Sequence, residues 1–140
     1  MANAVINGLK YHHIALRAGN YDASMKFYQE ALGFTPYAEW VENDQRVCML
    51  SMGDGGILEL FEGGEGEATP VPETKTGAFF HLALEVSDVD LAHQKAVEYG
   101  AKTKRMPEDV VIPSAPQNLP ARIAFVYGIN GEVLEFFKLR

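Results

Sequence analysis

The chain has 140 residues, 47% hydrophobic and 22% charged, the composition of one globular domain with enough apolar material for a core. Its formal net charge of −7 repels phosphate backbones and anionic membrane surfaces, so the expected partner is a small molecule or a metal, not nucleic acid or membrane. No apolar run reaches the roughly 18 residues of a membrane span, and MANAVINGLK lacks the basic and apolar parts of a secretory signal, so a cytoplasmic location is expected.

The first predicted element is a strand at His13-Ile14-Ala15-Leu16, followed by a helix that starts near Asp22 and closes at Gly33. An acidic residue at a helix start can accept from an unpaired amide, and glycine enters the left-handed conformation that ends a helix. A hairpin follows in RVCMLSMGDGGILELF from Arg46, with its turn at Gly53-Asp54-Gly55-Gly56. Cys48, the only cysteine, sits in its apolar VCML run and is read as a buried, inert thiol. Residues 63 to 77, rich in glycine, proline and charge, form a linker.

After the linker the order repeats: a strand at His81-Leu82-Ala83-Leu84, a helix starting near Asp88 and closing at Gly100, and a final hairpin RIAFVYGINGEVLEFF from Arg122. His93, in the polar helical stretch AHQKA, is expected to face solvent. The stretch from Pro107 to Pro120 is expected to be an ordered loop able to cover a site, because proline fixes φ and removes amide donors. The two hairpins align without a gap, and arginine and glutamate stand 13 positions apart in both. The chain is therefore read as one α+β domain, residues 1 to 140, made of two copies of one module, the first over 9 to 62 and the second over 78 to 140.

Glu59 in ILELF and Glu135 in VLEFF interrupt apolar strands, where an unpartnered carboxylate costs several kcal/mol. A solvent-facing edge or a pairing with Arg46 or Arg122 would compensate each one singly. The repeat adds another reading. Each module supplies a histidine on its first strand and a glutamate on its last, so duplication about a pseudo-twofold axis would bring His13, Glu59, His81 and Glu135 together as ligands of one divalent metal. Alignment of HIAL with HLAL selects His13 over His12, whose side chain should point to the other face with Ile14 and Leu16. Arg17 shares the face of His13 and is available to an anionic ligand or to a structural ion pair.

These motifs, together with Phe27-Tyr28, Ala31-Leu32-Gly33-Phe34 and Asn130-Gly131-Glu132-Val133-Leu134-Glu135, resemble the glyoxalase, bleomycin-resistance and extradiol dioxygenase superfamily over almost the full length. The resemblance implies paired βαβββ modules curled into an open, cup-shaped mixed sheet, and a homodimer whose sites combine His13 and Glu59 of one chain with His81 and Glu135 of the other. The ligand set is most similar to that of glyoxalase I. That implies a lyase or isomerase acting on a thiol adduct of a 2-oxoaldehyde through an enediolate, with Glu135 as base, Glu59 as second ligand or proton carrier, and Arg17 on the substrate. The metal would be nickel or zinc, with cobalt, manganese and iron compatible. Glu62, Glu65 and Glu67 stand where glutathione-using relatives offer an asparagine, which leaves the thiol open. A methylmalonyl-CoA epimerase-like or thiol-transfer resistance enzyme, or a non-catalytic binder lined by Trp40, Phe61, Phe125 and Phe137, are the alternatives within the same resemblance.

Overall fold

Exposed and half-buried positions alternate along HIALR, which forms strand β1 (His13–Arg17) in the computed structural model, where residues 4–7, 11–65 and 80–140 are described. Ile14 and Leu16 pack against the core while His13, Ala15 and Arg17 occupy the opposite face, the parity expected of a half-buried strand. The predicted linker beyond residue 65, with Glu67, and the module starts at 9, 10, 78 and 79 lie outside the described residues.

Helix α1 (Tyr21–Lys26) continues into a π-helical stretch, Phe27–Ala31, and leads to β2 (Thr35–Glu42), β3 (Gln45–Ser51) and β4 (Ile57–Phe61). The second module repeats the order with β5 (Leu82–Glu85), α2 (Val89–Glu98), β6 (Lys102–Ile112), β7 (Leu119–Tyr127) and β8 (Val133–Leu139). Each module folds as a four-stranded mixed sheet, β1-β4-β3-β2 and β5-β8-β7-β6, with the first and last strand of each module parallel and the other pairs antiparallel. The π-helical stretch explains a small irregularity of the repeat. His13 and His81 are 68 positions apart but the helix-ending glycines, Gly33 and Gly100, only 67, because the wider turn takes up one extra residue in the first copy. Both glycines have positive φ, +73° and +103°, as helix termination requires.

The helix starts refine the expectation drawn from Asp22 and Asp88. Asn20 and Asp88 are the equivalent caps, accepting from the amides of Ala23 and Leu91 at 3.0 Å. Asp22 is instead equivalent to Asp90, and both are held by the hairpin arginines: Arg46 Nη1 lies 2.9 Å from Asp22, and Arg122 Nε 2.6 Å from Asp90. The arginines thus tie each helix start to its own sheet, and neither neutralises Glu59 or Glu135.

Two further expectations are corrected. The stretch from Pro107 to Pro120 is mostly strand: β6 runs to Ile112 and β7 begins at Leu119, leaving only 113–118 as a loop. Proline is accommodated because β6 is an edge strand and Pro107 falls in a register shift between Arg105 and Glu108. His93 does not face solvent; it is 8% exposed, and its Nε2 lies 2.9 Å from Thr103 Oγ1 on the neighbouring strand, while burial holds its pKa below the ordinary value.

One core joins the modules. Leu58 and Leu60 from β4, Leu134 and Phe136 from β8, and Phe27 and Tyr28 from the first helical segment are at most 2% exposed and belong to a single apolar cluster. Burying each such side chain contributes about 1.5–3 kcal/mol. Cys48 is fully buried among them, as expected. Among the described residues, no helix is long and apolar enough to cross a membrane.

Candidate metal and ligand site

The face of each sheet that carries the histidine is set by strand register. Ala15 of β1 stands opposite Glu59 of β4, and Ala83 of β5 opposite Glu135 of β8, so in both modules the carboxylate shares a face with the histidine two residues earlier. His13 Nε2 lies 3.1 Å from Glu59 Oε2, and His81 Nε2 lies 3.1 Å from Glu135 Oε2. Duplication has reproduced the contact as well as the sequence.

The two carboxylates sit mostly out of water, with side chains 11% and 12% exposed, while the imidazoles are 38% and 28% exposed. Burial holds the Glu135 carboxyl above the ordinary glutamate value, against the opposing pull of His81 and Arg105. Two ligands about 2.1 Å from one cation and adjacent around it stand about 3 Å apart, so each pair has the spacing of a chelating half-site. The same spacing serves an imidazole–carboxylate hydrogen bond. Among the described residues of the single chain, no three His, Cys, Asp or Glu side chains converge as a metal site. The chain therefore presents two separate two-ligand sets, His13 with Glu59 and His81 with Glu135, and does not bring all four together.

His12 lies just outside β1 and is exposed, at the strand's end and not in the core. Its Nδ1 is 2.8 Å from His13 Nδ1, with the rings edge to face, so it fixes the His13 ring while leaving Nε2 turned to Glu59. In the second module Phe80 and Phe125 pack edge-on against His81, with centroids 4.7 and 5.7 Å away. Sequence reasoning found the histidines but not these supports, because they arrive from flanking and cross-strand positions.

Arg17 lies over the Phe61 ring, 5.3 Å from its centroid, and its Nη1 donates to Gln45 Oε1 at 3.0 Å and to the Glu62 carbonyl at 3.2 Å. Among the described residues these hydrogen-bond partners are uncharged oxygens. Glu62 itself turns to Arg46, which holds its carboxyl down to about 2. Cross-strand register sets the neighbours of the aromatics named for the binding-protein alternative: Trp40 opposes Val47, which opposes Phe61, and Phe125 opposes Glu135 while Phe137 opposes Ile123. Gln45 had no distinguishing signal in the sequence.

Paired βαβββ modules with a histidine and a glutamate repeated on the first and last strand of each define a duplicated α+β protein whose two sheets each carry a histidine–glutamate contact on one face. The profile of the Glyoxalase/Bleomycin resistance protein/Dioxygenase superfamily matches residues 10–115, and the chain belongs to that family. It is 30% identical over 102 residues to YwkD of Bacillus subtilis (strain 168), covering 70% of this chain and 77% of that protein. The glyoxylase/bleomycin resistance protein/dioxygenase domain of Frankia sp. EAN1pec superposes with a TM-score of 0.73 at 18% identity, covering 94% of this chain and 98% of that one. The trypanothione-dependent glyoxalase I of Leishmania major superposes at 0.67 with 21% identity, covering 94% and 87%. A mutant glyoxalase I from Zea mays superposes at 0.65 with 26% identity, covering 91% of this chain but 45% of the maize chain. At 18% and 21% identity the Frankia and Leishmania likenesses speak to the fold alone.

Proposed function

We propose that the protein is a metal-dependent lyase or isomerase of the glyoxalase I kind, acting on a thiol adduct of a 2-oxoaldehyde through an enediolate. The observation that carries this reading is the repeated contact, an Nε2 to Oε2 distance of 3.1 Å in both modules. A histidine–glutamate pair in one module has ordinary structural explanations; the same pair, with its carboxylate mostly out of water, kept in both copies calls for a common task. The 26% identity to the maize glyoxalase I variant supports the same class of chemistry.

His13 and Glu59 of one protomer, with His81 and Glu135 of a second copy, would hold one divalent cation per site, nickel or zinc first and cobalt, manganese or iron also compatible. When bound, such a cation supplies the positive charge that polarises the substrate carbonyl and lowers the barrier to carbon acid ionisation. Glu135 takes the carbon-bound proton on a carboxylate oxygen and returns it to the adjacent carbon, while the hydroxyl proton of the hemithioacetal passes to the former ketone oxygen, so the adduct becomes the thioester of a 2-hydroxy acid with no net change in atoms or electrons. Glu59 serves as the second carboxylate ligand or carries the proton between positions. Arg17, held against Phe61 by Gln45, offers its guanidinium to an anionic group of the thiol.

The test is turnover of methylglyoxal hemithioacetals, formed with glutathione and with other low-molecular-weight thiols, by untagged protein loaded with each metal. Activity should appear on loading, and Glu135→Gln should remove about a hundredfold or more of it while circular dichroism stays unchanged. Unchanged isomerase activity in Glu135→Gln refutes the base assignment. Turnover of methylmalonyl-CoA, or of fosfomycin with a thiol, in place of every hemithioacetal moves the protein to the epimerase or thiol-transfer branch. Tight quenching of Trp40 by an apolar ligand in metal-free, inactive protein identifies a binding protein.

A further inference from the structure

The hairpin turns of the two modules meet the helices of the opposite module differently. Asn130 Oδ1 accepts from the Gly19 amide at 3.0 Å, Asn130 Nδ2 donates to Ser24 Oγ at 2.9 Å, and Tyr28 Oη donates to Glu132 Oε1 at 2.6 Å. This half of the junction is closed by side chains. Carried through the repeat, Asn130 and Glu132 correspond to Asp54 and Gly56, and Gly19, Ser24 and Tyr28 to Ser87, Ala92 and Ala96. Glutamate has become glycine, and tyrosine and serine have become alanine. Where the first half is filled, the second contains a cavity of about 450 Å³, with Asp54, Gly56, Ser87 and Ala92 in its lining. The opening is thus a departure from the protein's own internal symmetry, and its volume is that of a small-molecule site, about 300–1,000 Å³.

The lining gives the chemistry. Leu32, Phe34, Met52, Leu91 and Phe136 supply apolar walls, whereas Asp54 and Asp88 bring carboxylates and Lys95 is the single cation of the lining among the described residues. The carboxylate of Asp88 already caps α2 through the Leu91 amide, and Lys95 turns to Glu98 at 3.5 Å. Asp54 is exposed at the position from which Asn130 makes its two bonds in the closed half. An apolar cavity with an excess of negative charge favours a cation carrying its own apolar body. Leu84 and Phe136 border the cavity from the sheet face opposite Glu135, Ala83 and Glu85 reach it at the free edge of β5, and none of His13, Glu59, His81 or Glu135 is in its lining.

We infer that the cavity between the first module's hairpin turn and α2 binds a small organic ammonium ion with an aromatic or alkyl body, its charge met by Asp54. The inference does not depend on the reaction proposed above.

The experiment is titration of the full chain, labelled at its methionine methyl groups, with phenethylamine, 2-phenylethanol and 3-phenylpropionate, followed by NMR at Met52. The expected result is a saturable Met52 shift, tightest for the amine and weakest for the carboxylate. Asp54→Asn, on an exposed turn, should weaken the amine by at least about threefold without changing the melting temperature or the binding of the alcohol. Ala92→Leu should fill the space and abolish all three titrations. Equal binding of the three probes, no saturable shift with the amine, or amine binding untouched by Asp54→Asn overturns the inference. If Ala92→Leu does not fold, the probe series and Asp54→Asn decide the matter alone.

Discussion

Tyr28 Oη donates a 2.6 Å hydrogen bond to Glu132 Oε1, joining the helical segment of the first module to the last hairpin of the second across 104 positions of sequence. Tyr28 is fully buried, and the second carboxylate oxygen of Glu132 accepts from the Asn130 amide at 2.8 Å. Burial raises the Glu132 pKa above the ordinary value, opposed by these bonds. A carboxyl raised on folding contributes stability that is fully present below the ordinary glutamate pKa and is lost as pH rises through the folded value. Glu132→Gln, which stays neutral and can still accept from Tyr28, should therefore gain in melting temperature relative to the parent between pH 4 and pH 7. Tyr28→Phe removes one donor to a carboxylate and should cost about 1.5–3 kcal/mol in denaturant titration at pH 7. A pH-independent difference between parent and Glu132→Gln would show that the carboxyl is not held up by burial.

A shared site makes a specific prediction about mixed oligomers. If each site combines His13 and Glu59 of one chain with His81 and Glu135 of another, His13→Ala and His81→Ala protomers are separately deficient in metal. Their heterodimer regains one intact site of two, because the unaltered first module of one protomer meets the unaltered second module of the other. Metal content measured after co-refolding of the two variants should rise to about half the parental level at full heterodimer formation. No recovery removes the cross-chain arrangement.

The Arg46 clamp predicts an acid response. Glu62 receives the Arg46 amide at 2.9 Å and the guanidinium at 2.8 Å, which holds its carboxyl down to about 2. A depressed carboxylate contributes stability present above its ordinary pKa, near 4.5, and lost as pH falls through about 2. The melting temperature of the parent should fall more steeply between pH 5 and pH 2.5 than that of Glu62→Gln, and less so in high salt because the pair is solvent-exposed. Parallel pH profiles would remove Glu62 from the acid response.

Cys48 is fully buried, and burial pushes its thiol up to about 11. The thiolate is the reactive form, so labelling by a disulfide reagent at pH 8 should be limited by unfolding and become fast in denaturant. Rapid stoichiometric labelling of the native protein would contradict the packing described for β3.

The two-module organisation was legible because its signals are local. The alternation of HIAL and HLAL, the glycine turns and the shared arginine-to-glutamate spacing each follow from a period or turn geometry that a short window contains. The same signals led from Glu59 and Glu135 to His13 and His81, since a charge on an apolar strand needs a partner and register allows few. Residues 107 to 120 misled for a complementary reason. Proline argues against strand in general, but an edge position with a register shift tolerates it, and which strand becomes the edge is settled by its neighbours. His93 looked solvated from its polar surroundings and is buried because Thr103, ten positions away, lies against it.

The sequence by itself determined the duplicated strand, helix and hairpin order, the presence of one histidine on the first strand and one glutamate on the last strand of each module, and the buried thiol, all of them consequences of periodicity and repetition. Only the tertiary structure decided that the two pairs stay apart within one chain, that Gln45 and Phe61 fix Arg17, and that one intermodule junction closes on Tyr28 and Glu132 while its counterpart opens into a cavity. Those outcomes depend on contacts between residues distant in sequence, whose energies depend on how two separately patterned sheets pack against each other and leave no periodic trace in either.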